Sequence, residues 1–466
     1  MGNMKMSVIG KFCFLLAVVP LGAAHVYPIY PKNEHTEISS LVERDIKRIG
    51  RKLQAAVKTT VSKVQGSVYP DGIYYMSACI GNPGKEYYLD IDTGSDLTWL
   101  QCDAPCRSCA KTSHQLYKVQ TKSAVSCKHP LCESVQKASS HPYECKSPSQ
   151  QCDYDIKYAD GGFTMGVLIS DIFTTQATDG ILGLSGGIAS LSYQWEKQGL
   201  TKNVIGICIA GGGNKGGYMF FGDDHVPTSM TWVPLLRGPA LRQYHLGFAQ
   251  MIYDGKPLAK DGDEKSLGDI IFDSGSTYTY FTEKAHGALV SAVEENFANQ
   301  LVRDPSDKTQ PLCWRGKEPF SSITDPRVTL YFKPLVFNFE NANAKLELTP
   351  EGYLIISKQG NVCLGILHDT DLPSLNIIGH ISFQGYLVVH DNGNNRIGWI
   401  LKNCTKFRSS PSYPFPDNNS TVYRMNCIFQ CFMSGRRLEA LEDPQQSPER
   451  EMIPFAQALG DEQILE

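Results

Sequence analysis

The feature that most constrains this chain is a repeat. Leu89-Asp90-Ile91-Asp92-Thr93-Gly94-Ser95 is an apolar, extended run ending in D-T-G-S, followed by Leu97-Thr98-Trp99. Ile270-Ile271-Phe272-Asp273-Ser274-Gly275-Ser276 repeats the form as D-S-G-S, followed by Thr277-Tyr278-Thr279-Tyr280. Downstream of each come two aliphatics and a glycine, Ile181-Leu182-Gly183 and Ile377-Ile378-Gly379. One such tetrapeptide arises by chance in ~2–3% of chains of this length, and two in well under ~0.1%. A single copy would read as an Asx-turn. Two copies with matched downstream motifs predict a mainly β fold of two similar lobes, related by a pseudo-twofold axis, each presenting one carboxylate to a cleft between them. The surrounding texture agrees: Ile73–Met76 and Tyr87–Ile91 are aromatic and β-branched runs broken by Gly, Asn and Pro. One helix is expected after Thr282, with Leu289, Val293 and Phe297 four apart on one face.

The chemistry follows from the pairing. If Asp92 and Asp273 meet, they cannot both ionise cheaply, and the pair shares one proton over a wide acid range. The ionised member can take a proton from a water held between them while the protonated member donates to a substrate carbonyl. Water then attacks an amide with no covalent intermediate. Gly94 and Gly275 keep the loops bare for close approach. The hydroxyls of Thr93 and Ser274 can link the two loops, and those of Ser95 and Ser276 can bond the outer carboxylate oxygens. No metal or cofactor is required.

Charge and cysteine usage frame this. The formal charge of −4 argues against a nucleic-acid binder. Residues 1–24 carry Lys5, Lys11, the apolar run Phe12–Val19 and small residues at Gly22-Ala23-Ala24, the form of a signal peptide. The apolar run is too short to span a bilayer. Residues 25–68 hold eight basic and four acidic side chains, leaving −10 on residues 69–466. A basic leader ahead of an acidic body reads as a propeptide. The expected organisation is a signal peptide at 1–24, a propeptide at 25–68, an N-terminal β lobe at 69–233 with a cysteine-rich insert, a C-terminal β lobe at 234–404, and a tail at 405–466 without structure. Fourteen of the 15 Cys lie beyond the signal region, which favours disulfides in an oxidising compartment over a zinc site at Cys102, Cys106 and Cys109.

The chain resembles the pepsin-type (family A1) aspartic proteases, and more closely their plant nucellin-like and nepenthesin-like branch. The run from Asp92 to Cys106, Asp179-Gly180-Ile181-Leu182-Gly183-Leu184, and Asp391-Asn392 through Arg396-Ile397-Gly398-Trp399 carry the likeness, which extends from about Tyr69 to Cys404. The resemblance implies a bilobal pepsin-like fold with Asp92 and Asp273 as the catalytic pair. It also implies Tyr158 as the flap tyrosine and Trp99 as the aromatic that steadies it. Cys102, Cys106, Cys109, Cys127, Cys132, Cys145 and Cys152 match the branch's cysteine-rich insert, and Cys208 with Cys404 and Cys313 with Cys363 are implied bridges. Asn403, Asn418 and Asn419 open glycosylation triplets.

Two departures stand out. The family places a further strand, bearing a cysteine, between the segment Met165–Phe173 and the Asp-Gly-Ile-Leu-Gly stretch, whereas Thr174–Thr178 joins them here almost directly. Asp92 and Ile181 are 89 residues apart and Asp273 and Ile377 are 104, although only the first interval holds the insert. A first lobe short of one core strand would expose ladder groups and leave an odd cysteine. His380 stands where the family usually has an acidic residue. The expected activity is therefore an aspartic endopeptidase working in acid on polypeptide substrates. It is expected to be a zymogen and a monomer, secreted or held in the endomembrane system, without membrane or nucleic-acid partners. The alternatives are a catalytically inactive binding or inhibitor protein on the same fold, or a non-functional shortened isoform.

Overall fold

The computed structural model describes residues 59–432 apart from 82–84, 104–115, 120–122, 138, 140–143, 159–162, 175–176, 237–242, 259–266, 340–341, 369–375 and 408–424. The expected signal peptide, most of the expected propeptide, Cys106, Cys109, Asn418 and Asn419 lie outside the described residues.

The first lobe is built from β1 (Thr60–Ser67), β2 (Ile73–Ile80), β3 (Lys85–Asp92), β4 (Trp99–Gln101), β5 (Asp153–Lys157), β6 (Phe163–Thr174) and β7 (Ala177–Gly183). In β3 the alternate residues Tyr87, Leu89 and Ile91 are at most 1% exposed and form the core face. Period-two alternation then places Tyr88, Asp90 and Asp92 on the opposite face. That alternation is what turns the Asp92 carboxylate away from the core and towards the cleft. β1 pairs antiparallel with both β2 and β9 (Gly217–Phe221). The segment Thr60–Ser67, ascribed from charge to the leader, thus belongs to the sheet of the body.

Between the lobes run β8 (Val204–Ile209), β9 and β10 (Thr231–Pro234). The second lobe follows with β11 (Tyr244–His245), β12 (Gln250–Tyr253), β13 (Lys256–Pro257), β14 (Ile270–Phe272) and β15 (Thr279–Phe281). It continues through β16 (Val302–Arg303), β17 (Cys313–Arg315), β18 (Leu335–Phe339), β19 (Ala344–Leu348), β20 (Leu354–Ile356) and β21 (Val362–Leu364). β22 (Ile366–His368), β23 (Asn376–Ile378), β24 (Tyr386–Asp391) and β25 (Arg396–Leu401) complete it. The expected helix spans Glu283–Glu295 after Thr282, burying Ala285, Leu289 and Val293, and Phe297 is buried just beyond its end.

With β26 (Met425–Phe432), one sheet passes through the molecule in the order β10-β25-β24-β8-β9-β1-β2-β3-β7-β4-β26-β6-β5. Its unexpected member is β26, Met425–Phe432, which comes from the tail read as unstructured. It lies parallel to β4 and antiparallel to β6. The second lobe's own sheet runs β11-β14-β23-β15-β22. β14 and β23 are buried throughout and apolar apart from Asn376, as befits interior parallel strands. Phe272 stacks between Phe383 and Trp399, with ring centroids 5.6 and 5.5 Å away.

Disulfides fasten these parts. Cys208–Cys404 ties β8 to the segment after β25, and Cys313–Cys363 joins neighbouring β17 and β21, both as implied from the resemblance. In the insert, Cys127 bonds Cys145, Cys132 bonds Cys152, and Cys102 is also disulfide-bonded.

Candidate active site

The two repeated loops come together across the lobes with mirrored bonding. In the first, β3 runs parallel to β7 with Ile91 opposite Leu182 and Asp92 opposite Gly183. In the second, β14 runs parallel to β23 with Ile271 opposite Ile377 and Phe272 opposite Ile378. Each aliphatic pair thus lies alongside the strand that delivers an aspartate. The backbone closes the arrangement: Leu184 N donates to Asp92 O at 2.8 Å, and Asp273 N donates to Ile378 O at 3.0 Å.

Beyond the strands each carboxylate is held in the same way. Gly94 N donates to Asp92 Oδ1 at 2.8 Å, and Gly275 N to Asp273 Oδ1 at 2.9 Å. Ser95 Oγ donates to Asp92 Oδ2, and Ser276 Oγ to Asp273 Oδ2 at 2.7 Å. The loops are cross-linked by Thr93 and Ser274. Ser274 N donates to Thr93 Oγ1 at 2.8 Å and Thr93 N to Ser274 Oγ at 3.2 Å. Their hydroxyls reach further, Thr93 Oγ1 to Phe272 O at 3.4 Å and Ser274 Oγ to Ile91 O at 2.7 Å.

The glycines are required by proximity. A Cβ on Gly94 would lie 2.7 Å from Asp273 Oδ1, and one on Gly275 would overlap Asp92 Oδ1. Each loop's glycine therefore faces the other loop's carboxylate, and no side chain fits between them. Burial, and after it the neighbouring charge of Asp273, pushes the Asp92 carboxyl from 3.8 up to about 7.

Three residues beside the pair carried no expected role. Asp90, two residues before Asp92 on the same strand face, has its Oδ1 buried without a hydrogen-bond partner among the described residues. Its carboxyl is held well above the ordinary range by burial and then by the charges of Asp92 and Asp273. The D-x-D spacing could have signalled it. Asp96 is 8% exposed and accepts from Ser185 Oγ and from Gly187 N at 3.1 Å, fixing the segment after Gly183.

His380 is 1% exposed. Its Nδ1 lies 3.1 Å from Ser274 O, and its ring meets the Tyr74 ring edge-on at 4.7 Å. Burial lowers its pKa to about 4, so the ring is neutral near pH 7 and Nδ1–H donates to the Ser274 carbonyl.

Trp99 opens β4 opposite Ile181. Tyr158 directly follows β5, in the hairpin whose other strand is β6, and is close enough to Tyr154 to act on it electrostatically. Residues 159–162 at the tip of this hairpin lie outside the described residues. Asn403 is exposed, its Oδ1 accepting from Thr405 N and Oγ1 at 3.0 and 2.7 Å.

Comparison with known proteins places this geometry among relatives. Residues 74–179 match the family model described as "Xylanase inhibitor N-terminal", and residues 243–400 match "Xylanase inhibitor C-terminal". An aspartic proteinase of Oryza sativa subsp. japonica is 36% identical over 389 residues, covering 76% of this chain and 93% of that protein. "Aspartic proteinase nepenthesin-1" of Nepenthes gracilis is 27% identical over 400 residues, covering 78% and 86%. Among solved structures, edgp superposes with a TM-score of 0.58 at 17% identity, over 73% of this chain and 94% of that one. The aspartic proteinase from Irpex lacteus superposes with a TM-score of 0.51 at 18% identity, over 75% and 98%.

Proposed function

We propose, from the premise that the chain belongs to the pepsin-type aspartic protease family as represented in plants, that it is an endopeptidase hydrolysing polypeptides in acid through Asp92 and Asp273. The observation that carries this reading is the mirrored holding of two carboxylates so close that neither loop's glycine could bear a Cβ.

With the Asp92 carboxyl raised to about 7, the pair carries a proton through the acid range. The ionised carboxylate takes a proton from a water between the loops as the water oxygen bonds to the substrate carbon. The protonated carboxyl donates to the carbonyl oxygen. Collapse of the resulting gem-diol breaks the C–N bond: one carboxyl gives its proton to the leaving nitrogen while a gem-diol hydroxyl returns a proton to the other carboxylate, so the pair ends with one proton, as it began. Ser95 and Ser276 steady the outer oxygens, and the Thr93–Ser274 cross-link sets the spacing. Tyr158 and Trp99 are assigned to the flap side of the cleft.

The disulfides accord with a secreted or vacuolar location, and among the described residues no helix is long and apolar enough to cross a membrane. We assign residues 1–24 to a signal peptide, a zymogen leader to the basic segment that follows, glycosylation to exposed Asn403, and a monomeric state to the mature protein. A second reading, an inactive inhibitor-like protein, draws support from the descriptions of the matching family models.

The two readings separate in one experiment. Hydrolysis of an unfolded protein should rise from neutral into acid and be blocked by a peptide mimic whose hydroxyl replaces the attacking water. Absence of hydrolysis at any acid pH, in folded and processed protein, would favour the inhibitor-like reading.

A further inference from the structure

We infer that Met425–Phe432 is a donated strand. It supplies, from the far end of the chain, the element the first lobe cannot make locally, and its docking holds the hairpin β5–β6 onto the half of the sheet that carries Asp92. This rests on strand topology and does not depend on the proposed peptidase activity.

The two lobes contain the same four-strand unit. In the second lobe it runs β14-β23-β15-β22, and in the first β3-β7-β4-β26. The directions match at every step. β14 is parallel to β23 as β3 is to β7. β15 is antiparallel to β23 as β4 is to β7. β15 is parallel to β22 as β4 is to β26.

β22 comes from the chain just before β23. Its counterpart should come just before β7, but only residues 175 and 176 separate β6 from β7. Two residues cannot supply a strand and two turns. The position is therefore open to another segment, and β26 occupies it in the direction the symmetry demands.

The register shows how much depends on it. β26 pairs with β6 over eight consecutive residues, from Met425 opposite Phe173 to Phe432 opposite Gly166. On its other edge it pairs with β4, Gln430 opposite Trp99, Cys431 opposite Leu100 and Phe432 opposite Gln101. The rest of the described pairing of β6 is with β5, with Ala124 through Ile169, and with Cys79 and Ile80 at the end of β2.

Without β26, the facing edges of β4 and β6 would leave a row of backbone groups unpaired within the sheet, a costly state. The hairpin β5–β6, which contains Tyr158, would keep only the short attachment to β2 on the side of Asp92. The segment's composition suits the role, since Met-Asn-Cys-Ile-Phe-Gln-Cys-Phe contains no Gly or Pro and is rich in apolar and aromatic residues. Covalent attachment to the body raises its local concentration towards the millimolar range, which favours filling in cis.

Amide hydrogen exchange on the purified full chain tests this without any activity readout. Amides of 425–432 and 166–173 should exchange slowly in the intact protein. Phe429→Pro removes a ladder donor in mid-strand and should speed exchange across 166–173 by about a hundredfold. Ala440→Pro, placed beyond the strand, should leave exchange unchanged. If Phe429→Pro cannot be recovered folded, the intact chain alone decides. Exchange of 425–432 at unfolded-chain rates, or a folded Phe429→Pro protein with unaltered exchange in 166–173, would overturn the inference.

Discussion

Replacing Asp92 by Asn should make the protein more stable at neutral pH relative to the parent, and the gain should vanish in acid. The Asp92 carboxyl rises from 3.8 to about 7 on folding, because burial and the Asp273 charge both penalise its ionised form. A group raised in this way binds a proton in the folded state that the unfolded chain has released. Its favourable contribution is intact below about pH 4 and is lost as pH climbs towards 7. Each pH unit in that window is worth about 1.4 kcal/mol, so the span of about three units amounts to roughly 4 kcal/mol. Asn has no proton to bind and no charge to bury.

The buried His380 and His390, whose pKa values fall to about 4 and about 3, work in the opposite sense between about pH 6.5 and 4. The parent's own pH curve is therefore flattened, and the difference between variant and parent is the quantity to read. Urea unfolding of both proteins at pH 4, 5, 6 and 7 should show the Asp92→Asn advantage growing steadily with pH, to several kcal/mol at pH 7. Parallel curves for the two proteins would refute a shared proton at this site.

Further outcomes follow from the same contacts. Gly275→Ala would push a methyl group into Asp92 Oδ1 and should cut peptidase turnover about a hundredfold while leaving the circular dichroism spectrum unchanged. His380→Leu should remove about 3 kcal/mol of the stability loss on acidification from pH 6.5 to 4, measured by urea unfolding, while losing the brace on Ser274 O. Acidification of the purified full chain should shorten its N-terminus to a point at or before Thr60, because β1 is paired on both edges; N-terminal sequencing of a product starting well inside β1 would count against that placement.

The pairing of the two aspartate loops was legible because its signal is local. A strand of period two, an aspartate at its end, a bare glycine and a hydroxyl residue together specify the loop conformation, and the second copy supplies the partner. The bridges Cys208–Cys404 and Cys313–Cys363 followed from the resemblance. The short connection between β6 and β7 was also legible, as a spacing. The strand that pairs beside β6 was not. β26 joins β4 and β6 from the far end of the chain, and nothing in the local pattern of Met425–Phe432 names its neighbours. β1 was hidden for a related reason: its lysine matched the basic leader, whereas edge-to-edge pairing with β2 and β9 decides where it lies. Asp90 and His380 were visible as residues, but their effect depends on burial beside the pair, which only the packed lobes create.

The most direct measurement is turnover of an acid-unfolded protein substrate by the processed chain, run beside its Asp273→Asn variant at the same acid pH. Asp273 holds half of the shared site through Gly275 N and Ser276 Oγ, and Asn keeps its shape without its charge. Clear hydrolysis by the parent and near-complete loss in a variant that remains folded is the expected result. Equal turnover by the two proteins, or none by a folded and processed parent, would contradict hydrolysis by the Asp92–Asp273 pair.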